Sequence, residues 1–343
     1  MKALVIHRKR DLRLEDLAPA PLGPGQVRLR IRRGGICGSD LHYYFHGGIG
    51  AIQLREPMVL GHEVSGEVVE TGAGVAGLAP GDLVAVSPSR PCGTCEYCLE
   101  GLPNQCLNMR FYGSAMPMPH IQGAFREELI VEAEQCVPAA GLSPAEAAMA
   151  EPLAVCLHAA KQAGDLLGKR VLITGSGPIG VLMVLAARRG GAAEIVVCDI
   201  LGKPLDFAVK AGADRAINTK DDPGAMSVYQ QKKGYFDAHF ECSGAEPALA
   251  GGIAAMRPRG TIVQLGLSGD ATLPLQQITV KELSLKGSFR FHAEFATAVA
   301  LMQKRLIDVT PLLTHTFPIA DHDAAFAMAV DKGQSMKVQF DFS

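Results

Sequence analysis

The segment that decides how this sequence folds lies near its middle, where residues 171–189 read VLITGSGPIGVLMVLAARR. Four β-prone residues lead into a glycine-rich turn, and an apolar run then ends at two arginines followed by two glycines. A second short strand, 195–198, ends at Asp199. Strands that alternate with helices predict a parallel sheet covered by helices on both faces. Later strands of the same sheet are expected at 236–240, 261–265 and 283–287.

The turn itself fits the pattern G-x-G-x-x-G, which is a weak signal when it occurs alone. Here it follows a strand and opens a helix, and Asp199 comes nineteen residues after Gly180. Such glycines let the backbone approach a pyrophosphate at a helix N-terminus, and an acid after the next strand accepts hydrogen bonds from a ribose. The Asp199 carboxylate would repel the 2′-phosphate of NADP, which favours NAD. The nearby positive charge of Lys203 weakens this preference, so NADP stays an alternative. The predicted dinucleotide site comprises Gly175, Gly177, Pro178, Ile179, Gly180, Asp199 and Lys203.

The length and the charge of the chain limit its possible domain number, partners and location. A chain of 343 residues is long enough for two domains. Its 33 Lys and Arg balance 35 Asp and Glu, which disfavours a partner such as nucleic acid or a membrane surface. The longest charge-free apolar stretch, 171–187, is interrupted by glycine and proline, so we expect a buried element rather than a membrane span. The start of the chain lacks the apolar run of a signal peptide, and a cytoplasmic location is expected.

The cysteines give the strongest single signal. There are nine, an odd number, so they cannot all pair within the chain. Four of them, Cys92, Cys95, Cys98 and Cys106, fall within fifteen residues on a loop that contains glycine and proline. Closely spaced thiolates can surround one tetrahedral ion, so this spacing predicts a structural zinc with all four positions filled by protein. An iron–sulfur cluster and unrelated free thiols are the alternatives.

A second metal site is expected from Cys37 and the pair His62-Glu63, twenty-five residues later. A thiolate, an imidazole and a carboxylate leave one position open for water or substrate, as in a catalytic zinc site. Each residue alone is a weak signal, because single buried cysteines and histidines are common in protein cores. The prediction therefore depends on their combination with the four cysteines and the glycine motif.

The order of these motifs resembles the zinc-containing medium-chain dehydrogenases, and within them the branch of sorbitol, xylitol and threonine dehydrogenases. The resemblance rests on GICGSDLH at 35–42, GHE at 61–63, the four cysteines, EPL at 151–153 and the glycine motif. It implies an α/β protein with a GroES-like, β-rich catalytic domain over residues 1–152. A doubly wound, NAD-binding Rossmann domain would follow over 153–288, and residues 289–343 would return to the catalytic domain.

The resemblance also implies the reaction, a hydride transfer between a secondary alcohol and NAD or NADP in a chain that holds two zinc ions. Cys37, His62 and Glu63 are the expected ligands of the catalytic zinc. Glu151 stands where simple alcohol dehydrogenases present a second cysteine, so the third ligand stays open between Glu63 and Glu151. Otherwise Glu151 is expected to hold a water or the substrate oxygen.

The released proton needs a route to solvent. Ser39 can accept and donate a proton at once, and His42 titrates near neutral pH, so these two residues are the expected relay. The alternatives are that Ser39 caps a helix and that His42 is an ordinary surface histidine.

The resemblance points to a sugar acid as the substrate, and an arginine is the natural bidentate partner of its carboxylate. Arg110 and Arg290, both flanked by aromatic residues, are the candidates, and Tyr43 is expected to line the pocket. Either arginine could instead be an ordinary surface or interface residue. A neutral polyol such as sorbitol or xylitol is the alternative substrate, and a non-enzymatic zinc protein is the remote alternative. Similar enzymes are tetramers or dimers, so a homo-oligomer is expected by analogy.

Overall fold

The computed structural model describes residues 1–267 and 269–343, and two large sheets organise them. The strands in chain order are β1 (Lys2–Arg8), β2 (Asp11–Asp16), β3 (Gln26–Gly35), β4 (Gly48–Ile49), β5 (Ile52–Gln53), β6 (Met58–Val59), β7 (Glu63–Thr71), β8 (Leu83–Val86), β9 (Ser89–Arg90), β10 (Arg110–Phe111), β11 (Glu128–Glu132), β12 (Cys136–Pro138), β13 (Arg170–Thr174), β14 (Glu194–Asp199), β15 (Arg215–Asn218), β16 (Phe236–Glu241), β17 (Met256–Gln264), β18 (Ser284–Gly287), β19 (Leu313–Pro318) and β20 (Lys337–Asp341).

The helices in chain order are α1 (Gly38–His46), α2 (Glu96–Leu99), α3 (Pro144–Ala148), α4 (Ala150–Ala163), α5 (Pro178–Arg189), α6 (Gly202–Lys210), α7 (Ser227–Gln230), α8 (Glu246–Ala255), α9 (Leu275–Val280), α10 (Glu294–Gln303) and α11 (His322–Val330). Short 3-10 turns cover Pro103–Gln105, Ala133–Gln135, Gln231–Lys233, Thr310–Leu312 and Ile319–Asp321. Within the described residues, none of these helices has the length and apolar character needed to cross a bilayer.

The first large sheet is mostly antiparallel, with the order β12-β8-β7-β3-β20-β19 and with β11 also paired to β3. Its central strand β3 alternates Val27, Leu29 and Ile31, which are fully buried, with arginines on the other face. This period-2 pattern is what the sequence predicts for a half-buried strand. Because β20 pairs with β3, residues near 340 complete a sheet that residues 26–86 begin.

The second large sheet is parallel throughout, with the order β15-β14-β13-β16-β17-β18. The chain starts at the middle strand β13, moves outward to β15, and then returns to the other side of β13. This is the doubly wound order, and ligands bind where it reverses, at the carboxyl ends of β13 and its neighbours. The strand cores, such as Val171–Ile173 and Ile195–Val197, are fully buried, as expected for a sheet covered on both faces.

Helix α4 joins the two sheets. Its buried residues Leu153, Cys156 and Ala159 share one apolar core with α5 and α10. The first turn of the helix, which carries Glu151, therefore has a fixed position at the junction between the two sheets.

Candidate active site

The ligating atoms of Cys37, His62 and Glu63 all lie within 4.8 Å of one another, and these three residues are called the open cluster below. Cys37 follows β3 and is the N-cap residue of α1, while β7 begins at Glu63. The two strands are antiparallel with Glu63 opposite Gly35, so the three side chains meet at one end of the sheet. A Cβ atom on Gly35 would collide with the Glu63 carboxylate, which explains why glycine is needed there.

Asp40 connects the two loops of the open cluster. It is fully buried, and its carboxylate accepts hydrogen bonds from the Cys37 amide at 2.9 Å and the Gly61 amide at 3.2 Å. The same carboxylate lies 3.9 Å from Nδ1 of His62. Burial raises the pKa of Asp40. The sequence signal for this role is an acid three residues after an N-cap, which our sequence prediction did not use.

Lys337 is a second residue that the sequence did not identify. Its buried ammonium group donates to Oε1 of Glu63 at 2.7 Å and to the Ile36 carbonyl at 3.1 Å. Glu63 is thus paired with a cation from β20, 274 residues away in the chain. A buried pair of this kind is costly to break, because either partner alone is an uncompensated charge.

Glu151 faces the open cluster from α4 but does not belong to it. Burial raises the pKa of Glu151 to about 8, and the charges of Glu63 and Cys37 act in the same direction, while His62 and Lys337 oppose them. Burial and the Glu63 charge likewise raise the pKa of the Cys37 thiol to about 12. A thiolate at this position needs a cation beside it, and a buried thiolate, imidazole and carboxylate form a donor set that suits zinc.

Helix α1 carries the two residues of the predicted proton relay. Ser39 lies beside the Cys37 sulfur, where its hydroxyl lowers the thiol pKa against the larger effect of burial. His42 follows one turn later on the same helix face and is exposed. Its ring packs against His46 at 5.5 Å, and burial together with His46 lowers the pKa of His42. Ser39 does not cap the helix, because Cys37 holds that position.

The two candidate arginines have different surroundings. The guanidinium of Arg290 lies 4.3 Å from the ring centre of Phe111 and 4.7 Å from that of Phe289. Burial lowers its pKa to about 10, and the charges of Glu151 and Tyr43 oppose this shift, so Arg290 faces the site. Arg110 is exposed. Its strand neighbour Phe111 contacts His62, so Arg110 points to the opposite side of the strand.

Tyr43 is buried, and its hydroxyl accepts a hydrogen bond from the Ala115 amide at 3.0 Å. Burial raises the pKa of Tyr43, while the nearby Arg290 opposes the shift. Tyr43 therefore lies on the same side of the site as Arg290 and Glu151.

The four clustered cysteines also converge. Residues 92–111 are called the cysteine lobe below, and within it the sulfur atoms of Cys92, Cys95, Cys98 and Cys106 lie within 4.8 Å of one another. Backbone amides donate to these sulfurs: Cys95 to Cys92 at 3.3 Å, and Cys92 to Cys106 at 3.2 Å. Amide donors around closely spaced sulfurs stabilise thiolates, so this lobe fits one tetrahedral ion.

The glycine motif follows β13 and opens α5, with Gly177 as the N-cap residue and Pro178 in the first turn. Gly175 has φ +85° and packs against the backbone of Ser243, and a Cβ atom on Gly180 would collide with the Gly175 carbonyl. Of the three glycines in the motif, only Gly177 has open space around its Cβ position. The first and third glycines thus serve packing, and the second leaves room for a ligand to approach.

Asp199 ends β14 and is tied to the glycine motif. One carboxylate oxygen accepts from the Ser176 amide at 2.6 Å, and the other accepts from the Ile200 amide at 2.7 Å. These bonds fix the acid beside the turn, where it fits a ribose. Lys203 is exposed in the first turn of α6. Glu241, which the sequence did not identify, holds the neighbouring loop after β16 by accepting from the Gly244 amide at 2.9 Å.

Two family models match the chain. The alcohol dehydrogenase GroES-like domain covers residues 23–141, and the zinc-binding dehydrogenase domain covers residues 178–304. This protein belongs to the zinc-binding alcohol dehydrogenase family. The predicted resemblance and fold class are confirmed, and so is the assignment as an oxidoreductase. The remote alternative, a non-enzymatic zinc protein, is not favoured by these matches.

Individual members of the zinc-binding alcohol dehydrogenases match over nearly the whole chain. L-idonate 5-dehydrogenase (NAD(P)(+)) of Escherichia coli strain K12 is 47% identical over 92% of this chain and 91% of its own length. Sorbitol dehydrogenase of Gallus gallus is 37% identical over 98% of this chain and 95% of its own length. The crystal structure of L-idonate 5-dehydrogenase from E. coli K-12 matches with a TM-score of 0.95 and 44% identity, covering 99% of this chain and 97% of that chain.

Proposed function

We propose that this zinc-binding dehydrogenase oxidises the secondary alcohol of a sugar acid with a nicotinamide cofactor, reversibly, and that L-idonate and 5-keto-D-gluconate are its substrate pair. The observation that carries this proposal is Arg290, a partly buried cation between two aromatic rings that faces Glu151 and Tyr43. A sugar acid supplies the carboxylate that such an arginine binds in a charge-assisted, bidentate contact, whereas a neutral polyol offers it only uncharged hydroxyl oxygens. The 47% identity to an L-idonate dehydrogenase supports the same substrate.

Cys37, His62 and Glu63 would hold the catalytic zinc, and Cys92, Cys95, Cys98 and Cys106 a second, structural one. When bound in the open cluster, zinc acts as a Lewis acid that lowers the pKa of a substrate hydroxyl. Glu151, buried beside the open cluster, would orient the hydroxyl oxygen. We favour Glu63 over Glu151 as the third ligand, because Glu63 shares the 4.8 Å cluster with Cys37 and His62.

Ser39 would accept the proton that leaves the substrate hydroxyl and pass it to His42, which is exposed to solvent. A hydroxyl suits this step because it donates one proton while it accepts another. The lowered pKa of His42 favours its neutral form at pH 7, so the ring can take up a proton and release it to water.

Gly175, Gly177, Pro178, Ile179 and Gly180 would cradle the pyrophosphate of the cofactor, with Asp199 on the ribose. We propose NAD as the preferred cofactor, because the Asp199 carboxylate repels the additional phosphate of NADP. Lys203 is the residue that would allow NADP to bind more weakly. The ratio of kcat/KM values for NAD and NADP measures this preference, and a higher value for NADP contradicts it.

The substrate assignment is tested with Arg290→Ala, and with Arg110→Ala as a matched variant that removes an exposed arginine. We expect kcat/KM for L-idonate to fall about a hundredfold in Arg290→Ala, as for the loss of a charge-assisted hydrogen-bonded pair. Turnover of sorbitol should stay within about threefold, and Arg110→Ala should change neither substrate appreciably. A wild-type enzyme that prefers sorbitol or xylitol would instead establish the alternative, a polyol dehydrogenase.

The chain is proposed to act as a homo-oligomer in the cytoplasm. Strand β18 forms an edge of the parallel sheet, its residues are exposed, and Leu275 and Val280 nearby are exposed as well. An uncovered strand edge with apolar neighbours favours association with a second copy. All nine cysteines are unpaired, which fits a reducing compartment. A monomeric mass in solution would contradict the assembly.

A further inference from the structure

We infer that the cysteine lobe determines substrate specificity as well as stability, because its residue Asn104 holds Arg290 in the conformation that meets the substrate. This inference rests on the proposed function, in which Arg290 binds the carboxylate of a sugar acid. Asn104 is a positioning residue: it contacts the backbone of the segment that carries Arg290 and does not touch the substrate.

Asn104 lies in the 3-10 turn Pro103–Gln105, between the third and fourth cysteines of the cysteine lobe. Its side chain is buried, with 9% of the residue exposed, and Nδ2 donates to the Phe289 carbonyl at 3.1 Å. The bond joins residues 185 positions apart. A buried amide has few alternatives for its donor, so the turn and the Phe289 carbonyl hold each other in place.

The position of this bond matters because of the backbone of Arg290. Arg290 has φ +55°, a left-handed conformation that costs a residue with a side chain about 1 kcal/mol or more. The torsion φ of Arg290 describes rotation relative to the peptide plane that contains the Phe289 carbonyl. A hydrogen bond to that carbonyl therefore fixes the plane from which the Arg290 side chain departs.

Two further contacts come from residues just after Asn104. The ring of Phe111, at the end of the cysteine lobe, lies against the Arg290 guanidinium at 4.3 Å and against His62 at 5.7 Å. The Ala115 amide donates to Tyr43 at 3.0 Å. One continuous segment thus supports an arginine, a tyrosine and a ligand of the open cluster, all on the substrate side.

The Arg290 guanidinium is held by stacking and by none of the hydrogen bonds among the described residues, so its donors are free for a ligand. Stacking on the aromatic rings fixes the plane of the Arg290 guanidinium, and the hydrogen bond to the Phe289 carbonyl fixes the backbone from which the side chain extends. A bidentate carboxylate contact depends on both the plane and the position of the guanidinium, whereas a single hydrogen bond to an uncharged hydroxyl depends on them less. Loosening Asn104 should therefore weaken recognition of the acid group selectively.

The experiment uses the full-length, zinc-loaded enzyme with Asn104→Ala and the isosteric Asn104→Asp, which keeps the volume but removes the donor. Gln105→Ala, an exposed amide on the same turn, is the matched control. We expect KM for L-idonate to rise about fivefold to tenfold in both Asn104 variants, with kcat within about twofold, as for the loss of one hydrogen bond. Values for sorbitol, the zinc content and the affinity for NADH should match those of Gln105→Ala.

A double-mutant cycle with Arg290→Ala tests the positioning role of Asn104 separately from the proposed binding of the substrate carboxylate by Arg290. If Asn104 acts through Arg290, then adding Asn104→Ala to Arg290→Ala should raise KM no further. Additive effects, equal losses on L-idonate and sorbitol, or loss of zinc from both Asn104 variants would overturn the positioning role. If Arg290→Ala itself has no selective effect on the acid substrate, the proposed function fails. A selective Arg290→Ala together with wild-type kinetics in Asn104→Asp refutes the inference alone.

Discussion

The cysteine lobe and the open cluster bring ligating atoms equally close together, within 4.8 Å, but their surroundings differ. Around the cysteine lobe, backbone amides donate to the sulfurs. Around the open cluster lie buried, titratable side chains, namely Asp40, Glu151 and Lys337. Amide dipoles stabilise a fixed charge and do not titrate, whereas buried acids and bases change charge with what is bound. Equal spacing of ligating atoms is therefore compatible with two kinds of surroundings, one of fixed dipoles and one of titratable side chains.

The largest expected effect separates the two metal sites. Cys37→Ser should lower kcat/KM by about a thousandfold, because it removes a proposed ligand of the catalytic zinc, the ion that would stabilise developing charge. Cys95→Ser should keep kcat within about threefold but lower the thermal midpoint by about 5 °C or more. Zinc content, kinetics and thermal unfolding of both variants test this. A Cys95→Ser enzyme without turnover at low temperature would contradict the division of roles.

The charged surroundings of the open cluster provide the second test. Lys337→Met leaves the Glu63 carboxylate buried without its cation, which should cost about 3 kcal/mol of unfolding free energy. The loss should be larger after chelation than in zinc-loaded protein, because the ion also compensates Glu63. Denaturant unfolding with and without a chelator measures both values. The double variant Lys337→Met with Glu63→Gln should recover most of the stability. Equal losses of unfolding free energy with and without the chelator would contradict the pairing of Lys337 with Glu63.

Ser39→Ala tests the proton route with a smaller expected effect. Loss of a positioned proton acceptor should lower kcat about a hundredfold, while zinc content and NADH affinity stay unchanged. His42→Ala should lower kcat less and shift its pH profile, because water can replace the outer group of a relay. Unchanged turnover in Ser39→Ala would remove Ser39 from the mechanism.

The smallest expected effect concerns Glu294, a carboxylate that lies close to the side chains of His158 and Lys161. Glu294 accepts from the His292 amide at 3.0 Å and lies near His158 at 3.4 Å and Lys161 at 3.2 Å. The close approach of His158 is the main reason that the pKa of Glu294 is well below its usual range. A lowered folded-state pKa stabilises the protein above the unfolded value of about 4.3, and this contribution is lost as the pH falls towards the folded value.

Glu294→Gln should therefore destabilise the protein by about 1.5 kcal/mol at pH 7. The difference from wild type should shrink as the pH falls below about 4, because wild-type Glu294 then takes up a proton as the protein unfolds. Thermal midpoints of both proteins between pH 3 and 7 measure the change. A difference that is the same at every pH would assign the effect to packing.

Features that depend on nearby residues could be predicted from the sequence. The alternation in β3, the strand and helix on either side of Gly175–Gly180 and the spacing of the four cysteines are all local patterns with one structural solution. The open cluster was harder, since Cys37 and His62 meet only through the pairing of β3 with β7. Its residues were identified from the chemistry of the donor set together with the four cysteines and the glycine motif, and the resemblance to a family then implied the same three ligands.

Contacts between distant elements could not be predicted. Lys337 begins an ordinary short strand, and only the pairing of β20 with β3 brings its ammonium to Glu63. The sequence could not choose between Arg110 and Arg290 either, since both have aromatic neighbours. Which of the two residues of β10 points towards His62 decides whether Arg110 faces the site. A strand of only two residues has no alternating pattern from which this can be predicted.

The late position of Lys337 in the chain has a consequence for biosynthesis. Ribosomes add about 5–20 residues per second, so the 274 residues between Glu63 and Lys337 take roughly 15–55 s to synthesise. During that time Cys37, His62 and Glu63 have left the ribosome, whereas the cation that pairs with Glu63 does not yet exist. The cysteine lobe is complete much earlier, from residues 92–111 alone. The cysteine lobe can therefore form before the open cluster, which gains its buried Glu63–Lys337 pair only after β20 has been synthesised.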